Sequence, residues 1–130
     1  EKRQLGRRVL KHIGMLGQPR HLQAAASWQY QVRRFRAFAA QLPPGHAIEI
    51  TFEALCQHPV EVTARVADFL QIPFAPASRD YVSGTFKENY VSHYLQCDPK
   101  LVAQVEELIG PTLVELGYPL SQESAHAAHA

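Results

Sequence analysis

The chain has 130 residues, enough for a domain with its own core, and 46% hydrophobic against 19% charged residues argues against extensive disorder. No apolar run approaches the roughly 20 residues that cross a bilayer, and no apolar segment follows the basic start, so we expect neither a membrane span nor a signal peptide. The two cysteines, Cys56 and Cys97, form no CxxC pair. We therefore expect a cytoplasmic protein.

Charge is unevenly distributed along the chain. Residues 1–36 carry nine Lys or Arg side chains and one Glu, whereas residues 37–130 carry four basic and eleven acidic ones. This asymmetry favours an anionic partner for the first part or salt bridges between the first part and the rest. Solvated helix faces are the alternative interpretation.

The first third of the sequence predicts two helices. Apolar residues recur at helical spacing over 2–16, and Gly17 with Pro19 should end that helix. A longer helix is predicted over about 20–42, with one apolar stripe formed by Trp28, Val32, Phe35, Ala39 and Leu42. We interpret the tryptophan as a core residue. Three arginines flank the stripe and either form a solvated face or neutralise an anionic ligand: Arg33, Arg34 and Arg36.

The sequence "AIEITF" that follows "LPPGH" alternates like a half-buried strand. Ile48, Ile50 and Phe52 would point to one face and Glu49 to the other. We predict a strand over about 47–52. A single strand cannot satisfy its own backbone hydrogen bonds, so it should join a parallel sheet to which this chain scarcely contributes.

Helices are also predicted in the second half. "EALC" indicates a helical turn, and Pro59 is at a favoured first position of the next helix. Residues 71–90 look loop-rich. Asp98 and Pro99 are a good N-cap and first residue for the last helix, which Gly117 should end, while residues 121–130 should form a disordered tail.

Two segments resemble the C-terminal half of the sulfotransferases that use 3′-phosphoadenosine 5′-phosphosulfate (PAPS). They are "ITFEALCQHPVEVTARVADFLQIPFAP" (50–76) and "LVAQVEELIGPTLVELGY" (101–118), and the resemblance covers about residues 20–118. The family typically has a Tyr-Glu-Asp-Leu turn, then a proline, then a helix ending in Phe-Leu-Gly. The turn is Phe-Glu-Ala-Leu here, and the helix ends in Phe-Leu-Gln.

The resemblance implies an α/β, P-loop-like fold, of which residues 1–120 would form the mostly helical C-terminal part. The strand at about 47–52 would belong to its parallel sheet. The glycine-rich loop that binds the phosphosulfate, and the catalytic base, are expected upstream in this family. We therefore interpret the chain as a fragment that is inactive alone, with an N-terminal part of the same protein missing and its catalytic residues unknown.

The same resemblance implies the cofactor-binding residues. The ring of Phe52 would pack against the nucleotide, and Glu53 would organise the turn after the strand by accepting backbone N–H bonds. A loop would close over the adenine and the 3′-phosphate, and it comprises Ser83, Gly84, Thr85, Phe86 and Lys87. Its first three residues would donate hydrogen bonds, its phenylalanine would stack on adenine, and its lysine would pair with phosphate. A solvated surface loop is the alternative.

The histidines indicate no metal site. His126 and His129 lie in the tail without further ligands, so no metal is expected. His93 is either a base near the closing loop or a surface residue. The basic residues are not interleaved with exposed aromatic ones, so we expect no nucleic-acid partner.

The main functional expectation is a transferase that moves a sulfuryl group from PAPS to an acceptor hydroxyl or amine. The acceptor, whether a small molecule, glycan or peptide, is not readable from the residues. Two alternatives stay open. One is a non-catalytic helical interaction module with a basic N-terminal segment, and the other is a different nucleotide-dependent transferase with the same P-loop fold.

Overall fold

The structure, a computed structural model, describes the backbone of residues 2–121 and the side chains of residues 6–121. It contains six α-helices within that range: α1 (Lys2–His12), α2 (Arg20–Ala39), α3 (Phe52–Gln57), α4 (Pro59–Leu70), α5 (Pro76–Thr85) and α6 (Pro99–Glu115). A 3₁₀ helix spans Glu88–Gln96. Residues 122–130, with His126, His129 and most of the predicted tail, lie outside the described residues.

The helices form two compact units. The first, which we call the α2–α6 unit, contains the residues up to Ala40 together with those from Cys97 onward. The second, the α3–α5 unit, contains Gln41–Gln96. The sequence patterns do not indicate that the last helix packs on the first part of the chain.

In the α2–α6 unit, α6 packs along α2, and α1 packs on α2. The predicted start of α6 is confirmed, because the Asp98 carboxylate accepts a hydrogen bond of 2.9 Å from the Lys100 N–H and Pro99 is the first helical residue. Trp28 is half-buried, and its ring meets that of Tyr118 edge-on at 6.3 Å between centroids. This contact supports the interpretation of Trp28 as a core residue.

The α3–α5 unit is built around α4. α3 and α5 each pack on α4, and the 3₁₀ helix packs on α3. Its small core is contributed by one buried residue or two from each α-helix: Cys56, Val62, Ala67 and Val82. α4 begins at Pro59, as the sequence predicts.

The predicted strand at about 47–52 is wrong, and so is the predicted α/β class with a parallel sheet, because the described residues are helical or irregular. No strand or sheet forms among residues 2–121, and Phe52 is the first residue of α3. Thr51 does have extended backbone angles, φ −94° and ψ 150°, but its side chain caps α3 by accepting a hydrogen bond of 3.1 Å from the Ala54 N–H. Without a neighbouring strand to pair with, the alternating segment is an extended lead into a helix.

The predicted loop over 71–90 is also more ordered than expected. Pro76 starts α5 in the position that suits proline, and the helix continues to Thr85. The 3₁₀ helix begins three residues later, at Glu88. One of the two prolines of this stretch, Pro76, therefore begins a helix and does not belong to a loop.

Three helices end in the same way, with a residue in the left-handed conformation. At the end of α1 this residue is Gly14 (φ 70°), and at the end of α6 it is Gly117 (φ 82°), as predicted for α6. α1 therefore ends before the predicted Gly17. At the end of α4 the residue is Gln71, with φ 55°. Its N–H bonds to Asp68 O and the next N–H, that of Ile72, bonds to Ala67 O, both at 3.0 Å, which is a Schellman motif.

Candidate functional site

The first candidate site residues, Phe52 and Glu53, lie at the start of α3. Phe52 is 52% exposed, so its side chain is accessible to a ligand. Glu53 is half-buried in the first turn, where a carboxylate is stabilised by the partial positive charge of the helix N-terminus. Glu53 thus lies at a helix start and not in a turn after a strand, and its turn-organising role stays a prediction.

The second group, residues 83–87, lies where α5 ends. Ser83, Gly84 and Thr85 form its last turn, Phe86 follows as the half-buried capping residue, and Lys87 is exposed. The Ser83 hydroxyl donates to Asp80 O at 3.0 Å, and the Thr85 hydroxyl donates to Tyr81 O at 2.7 Å. Ser83, Gly84 and Thr85 are therefore helical, and of the predicted loop Phe86 and Lys87 lie outside a helix.

The position of residues 83–87 at the end of α5 limits which of their side chains can bind a phosphate. A phosphate oxygen needs hydrogen-bond donors, but the hydroxyl protons of Ser83 and Thr85 point to helix carbonyls. The C-terminal end of a helix also carries partial negative charge, which disfavours an anion. Lys87 is the residue of this group whose charge matches a phosphate directly. The hydroxyls of Ser83 and Thr85 can donate to a phosphate only after they rotate away from their carbonyl partners.

The two groups are linked through α4, since both α3 and α5 pack on it. Their assignment to a nucleotide site stays a prediction. His93, the candidate base, lies in the 3₁₀ helix, is exposed, and its ring meets that of Tyr90 at 5.4 Å. That geometry is equally compatible with a surface residue.

The three arginines of α2 have separate partners in the α2–α6 unit. A guanidinium N–H of Arg33 donates to the Thr112 hydroxyl at 2.8 Å. The guanidinium of Arg34 lies 5.9 Å from the centre of the Tyr30 ring. Arg36 forms an exposed ion pair with Glu115 at 4.0 Å. One of the expected salt bridges between the basic first part and the rest of the chain is thus present.

Sequence reasoning missed Thr112, which is buried to 2% exposure on α6. Its hydroxyl also accepts a hydrogen bond of 2.7 Å from the Gln29 side chain. A signal was present, because Thr112 lies three residues after Ile109 and four before Leu116, on the apolar side of α6. A buried polar residue at such a position needs a hydrogen-bond partner, either in its own helix or in a neighbouring one.

No three His, Cys, Asp or Glu side chains come together as a metal-ligand group within the described part of the chain. Over the same residues, none of the helices combines the length and the apolar character needed to cross a bilayer.

Comparison with known proteins gives one match. The model of a sulfotransferase family matches residues 7–76, which is more than half of the chain. The match includes α2, α3 and α4, and with them Phe52 and Glu53, but ends before residues 83–87 and 101–118. No curated protein and no solved structure is significantly similar to the chain. The family match nevertheless spans the segment 50–76 on which the resemblance depends, and the chain belongs to the sulfotransferase family.

Proposed function

We propose that this protein transfers a sulfuryl group from PAPS to an acceptor hydroxyl or amine. The observation that carries the proposal is the family match over residues 7–76, which contains the exposed ring of Phe52 at the start of α3. Family membership favours a transferase over a non-catalytic interaction module.

The reaction itself is an in-line displacement at sulfur. The bond between sulfur and the bridging phosphate oxygen breaks, and a bond from sulfur to the acceptor oxygen or nitrogen forms. The acceptor proton passes to a base, and 3′-phosphoadenosine 5′-phosphate (PAP) leaves with the electron pair of the bridging oxygen. Catalysis then requires a positioned acceptor, a base, and cations or N–H donors on the phosphates.

The residues of the α3–α5 unit would contribute binding to this reaction. Phe52 and Phe86 offer aromatic faces to the adenine, and Lys87 offers a cation to a phosphate. Ser83 and Thr85 would add donors after their hydroxyls rotate. Glu53 would hold the start of α3 in place and would not take part in the proton transfer.

We further propose that residues 1–130 do not complete the reaction by themselves. The sequence contains no glycine-rich loop of the kind that cradles a phosphosulfate between a strand and a helix. The groups named above provide one lysine for a donor that carries several negative charges. Binding without turnover is the behaviour we expect from these residues alone.

The test is a transfer assay on the protein as its gene encodes it, with sulfur-labelled PAPS and a panel of hydroxyl and amine acceptors. Label appearing in an acceptor supports the proposal. PAP binding should also be measured by calorimetry. Absence of both PAP binding and sulfuryl transfer would overturn the proposal. Phosphoryl transfer from ATP in a parallel assay would instead favour the alternative of a different nucleotide-dependent transferase.

A further inference from the structure

The α2–α6 unit contains an open groove that none of the functions discussed above uses. It has a volume of about 370 Å³ and is formed by α2, the turn that follows α1, and α6. Its apolar lining consists of Ile13, Met15, Ala26, Ala37 and Leu108. The volume lies within the range of small-molecule sites, and the lining suits a hydrocarbon or aromatic body.

The charged part of the groove consists of two arginines of α2, Arg33 and Arg34. None of the described residues that line the groove carries a carboxylate, so no acidic group of the lining competes for these guanidiniums. The other polar residues of the lining are Gln29 and Tyr30. Apolar walls next to two guanidiniums are complementary to a molecule with one apolar part and one anionic head group.

Both guanidiniums are held by neighbours before any ligand binds. Arg33 donates one N–H to the buried hydroxyl of Thr112 at 2.8 Å, and a guanidinium has five N–H donors in all. Arg34 lies over the ring of Tyr30 at 5.9 Å, and the Tyr30 ring also meets the His12 ring edge-on at 5.7 Å between centroids. Because these arginines are held in place, less side-chain entropy is lost when an oxyanion binds.

We propose that this groove binds a small amphipathic organic anion, with its apolar or aromatic body on the groove lining and its carboxylate or sulfate head group on Arg33 and Arg34. Planar or tetrahedral oxyanions match the fork of guanidinium donors. The inference is independent of the proposed sulfuryl transfer, because every residue that carries it belongs to the α2–α6 unit, whereas the proposed nucleotide-binding residues belong to the α3–α5 unit.

Four probes separate the body of the ligand from its head group: 2-naphthyl sulfate, 2-naphthoate, neutral 2-naphthol and inorganic sulfate. Binding to the purified protein should be measured by calorimetry. We expect the two naphthyl anions to bind about tenfold or more tightly than 2-naphthol, the gain typical of a charge-assisted hydrogen bond. Inorganic sulfate should not displace them at equal concentration. The site is overturned if 2-naphthol binds as well as the anions, or if inorganic sulfate competes equally.

Two variants test the cationic part and the apolar part of the groove separately, and both keep the hydrogen bond from Arg33 to Thr112. Arg34→Gln removes the second cation, and Ala37→Leu fills the groove while leaving all charges in place. Each should lower the affinity for 2-naphthyl sulfate by about tenfold. Circular dichroism should show an unchanged helix content in both variants. The matched control is Arg65→Gln, which removes an exposed guanidinium from α4 in the other unit. Equal losses in Arg65→Gln and Arg34→Gln would overturn the proposal.

A membrane surface is the competing occupant. Vesicles of anionic phospholipid and of phosphatidylcholine should be compared in a sedimentation assay. Strong binding to anionic vesicles together with no binding of soluble 2-naphthyl sulfate would overturn the small-molecule assignment and show that the groove recognises lipid. Little vesicle binding, with binding of both naphthyl anions, would support the assignment.

Discussion

Arg33 and Thr112 are joined by a hydrogen bond of 2.8 Å that runs from a basic helix surface to a buried hydroxyl. Gln29, one helical turn earlier on α2, donates to the same oxygen at 2.7 Å. Two donors from α2 therefore meet one acceptor on α6 directly after Pro111, which lies inside that helix. The pair of bonds fixes the register of α2 against α6, because a shift of either helix would leave Thr112 buried without its partners.

Thr112→Val should destabilise the α2–α6 unit. Valine has a similar shape but no acceptor, so the Gln29 amide and one Arg33 N–H lose a buried partner. We expect the free energy of unfolding to fall by about 1–3 kcal/mol. Urea unfolding followed by the fluorescence of Trp28, the single tryptophan, reports on this unit. Thr85→Val, which removes a hydroxyl that donates within its own helix, is the control, and an equally small change in both variants would contradict the prediction.

Gln29 and Thr112 should also show energetic coupling in a double-mutant cycle. Gln29→Leu and Thr112→Val each remove one side of the 2.7 Å bond, so the loss in the double variant should be smaller than the sum of the single losses. Contacting residues in one network couple by about 0.5–3 kcal/mol. The free energies of unfolding of all four proteins give the coupling. Additivity within about 0.3 kcal/mol would show that the bond does not contribute to stability.

Local capping signals predicted the helix starts of this protein better than periodicity predicted its strand. Asp98 and Pro99 satisfy the orphan groups of α6 within four residues of chain, so nothing distant is needed to confirm them. The alternation of Ile48, Ile50 and Phe52 has a different status. An alternating segment forms a strand only beside a partner strand, and the described residues provide none. Thr51 instead bonds to the N–H of Ala54, three residues later.

The site was harder to predict than the helices for the same physical reason. Residues 83–87 are predicted from the family resemblance, which does not show that the hydroxyls of Ser83 and Thr85 donate to Asp80 O and Tyr81 O. The groove next to Arg33 and Arg34 depends on α6 returning to α2, about eighty residues later in the sequence. A single sequence contains no direct signal for such a long-range contact.

The cap of α3 gives a test of the corrected fold. Thr51→Ala removes the hydroxyl that accepts from the Ala54 N–H and should cost about 1 kcal/mol of stability, whereas Thr51→Ser keeps the acceptor and should cost only a few tenths. Thermal unfolding followed by circular dichroism measures both. Were the segment a strand, serine and alanine would both lose the β-branched side chain and would destabilise to a similar extent.

The left-handed residue at the end of α4 predicts a stabilising substitution. Gln71 has φ 55°, a conformation that costs an L-residue about 1–2 kcal/mol and glycine very little. Part of that gain is lost because glycine is more flexible in the unfolded chain, so Gln71→Gly should raise the free energy of unfolding by about 0.5–1 kcal/mol. Urea unfolding of Gln71→Ala serves as the control, because alanine keeps the strain and should bring no gain.

Lys87 tests the nucleotide assignment in the α3–α5 unit. Lys87→Gln removes the cation that follows α5 and should lower the affinity for PAP by about tenfold. Lys87→Arg keeps the charge and should retain most of that affinity. The lost affinity should shrink as salt is added, because Lys87 is exposed and its pairing with phosphate is screened. Lys100→Gln, a lysine of α6 in the other unit, is the matched control for calorimetry of PAP binding. If Lys87→Gln and Lys100→Gln reduce the affinity equally, only overall charge matters, and residues 83–87 do not form the phosphate contact.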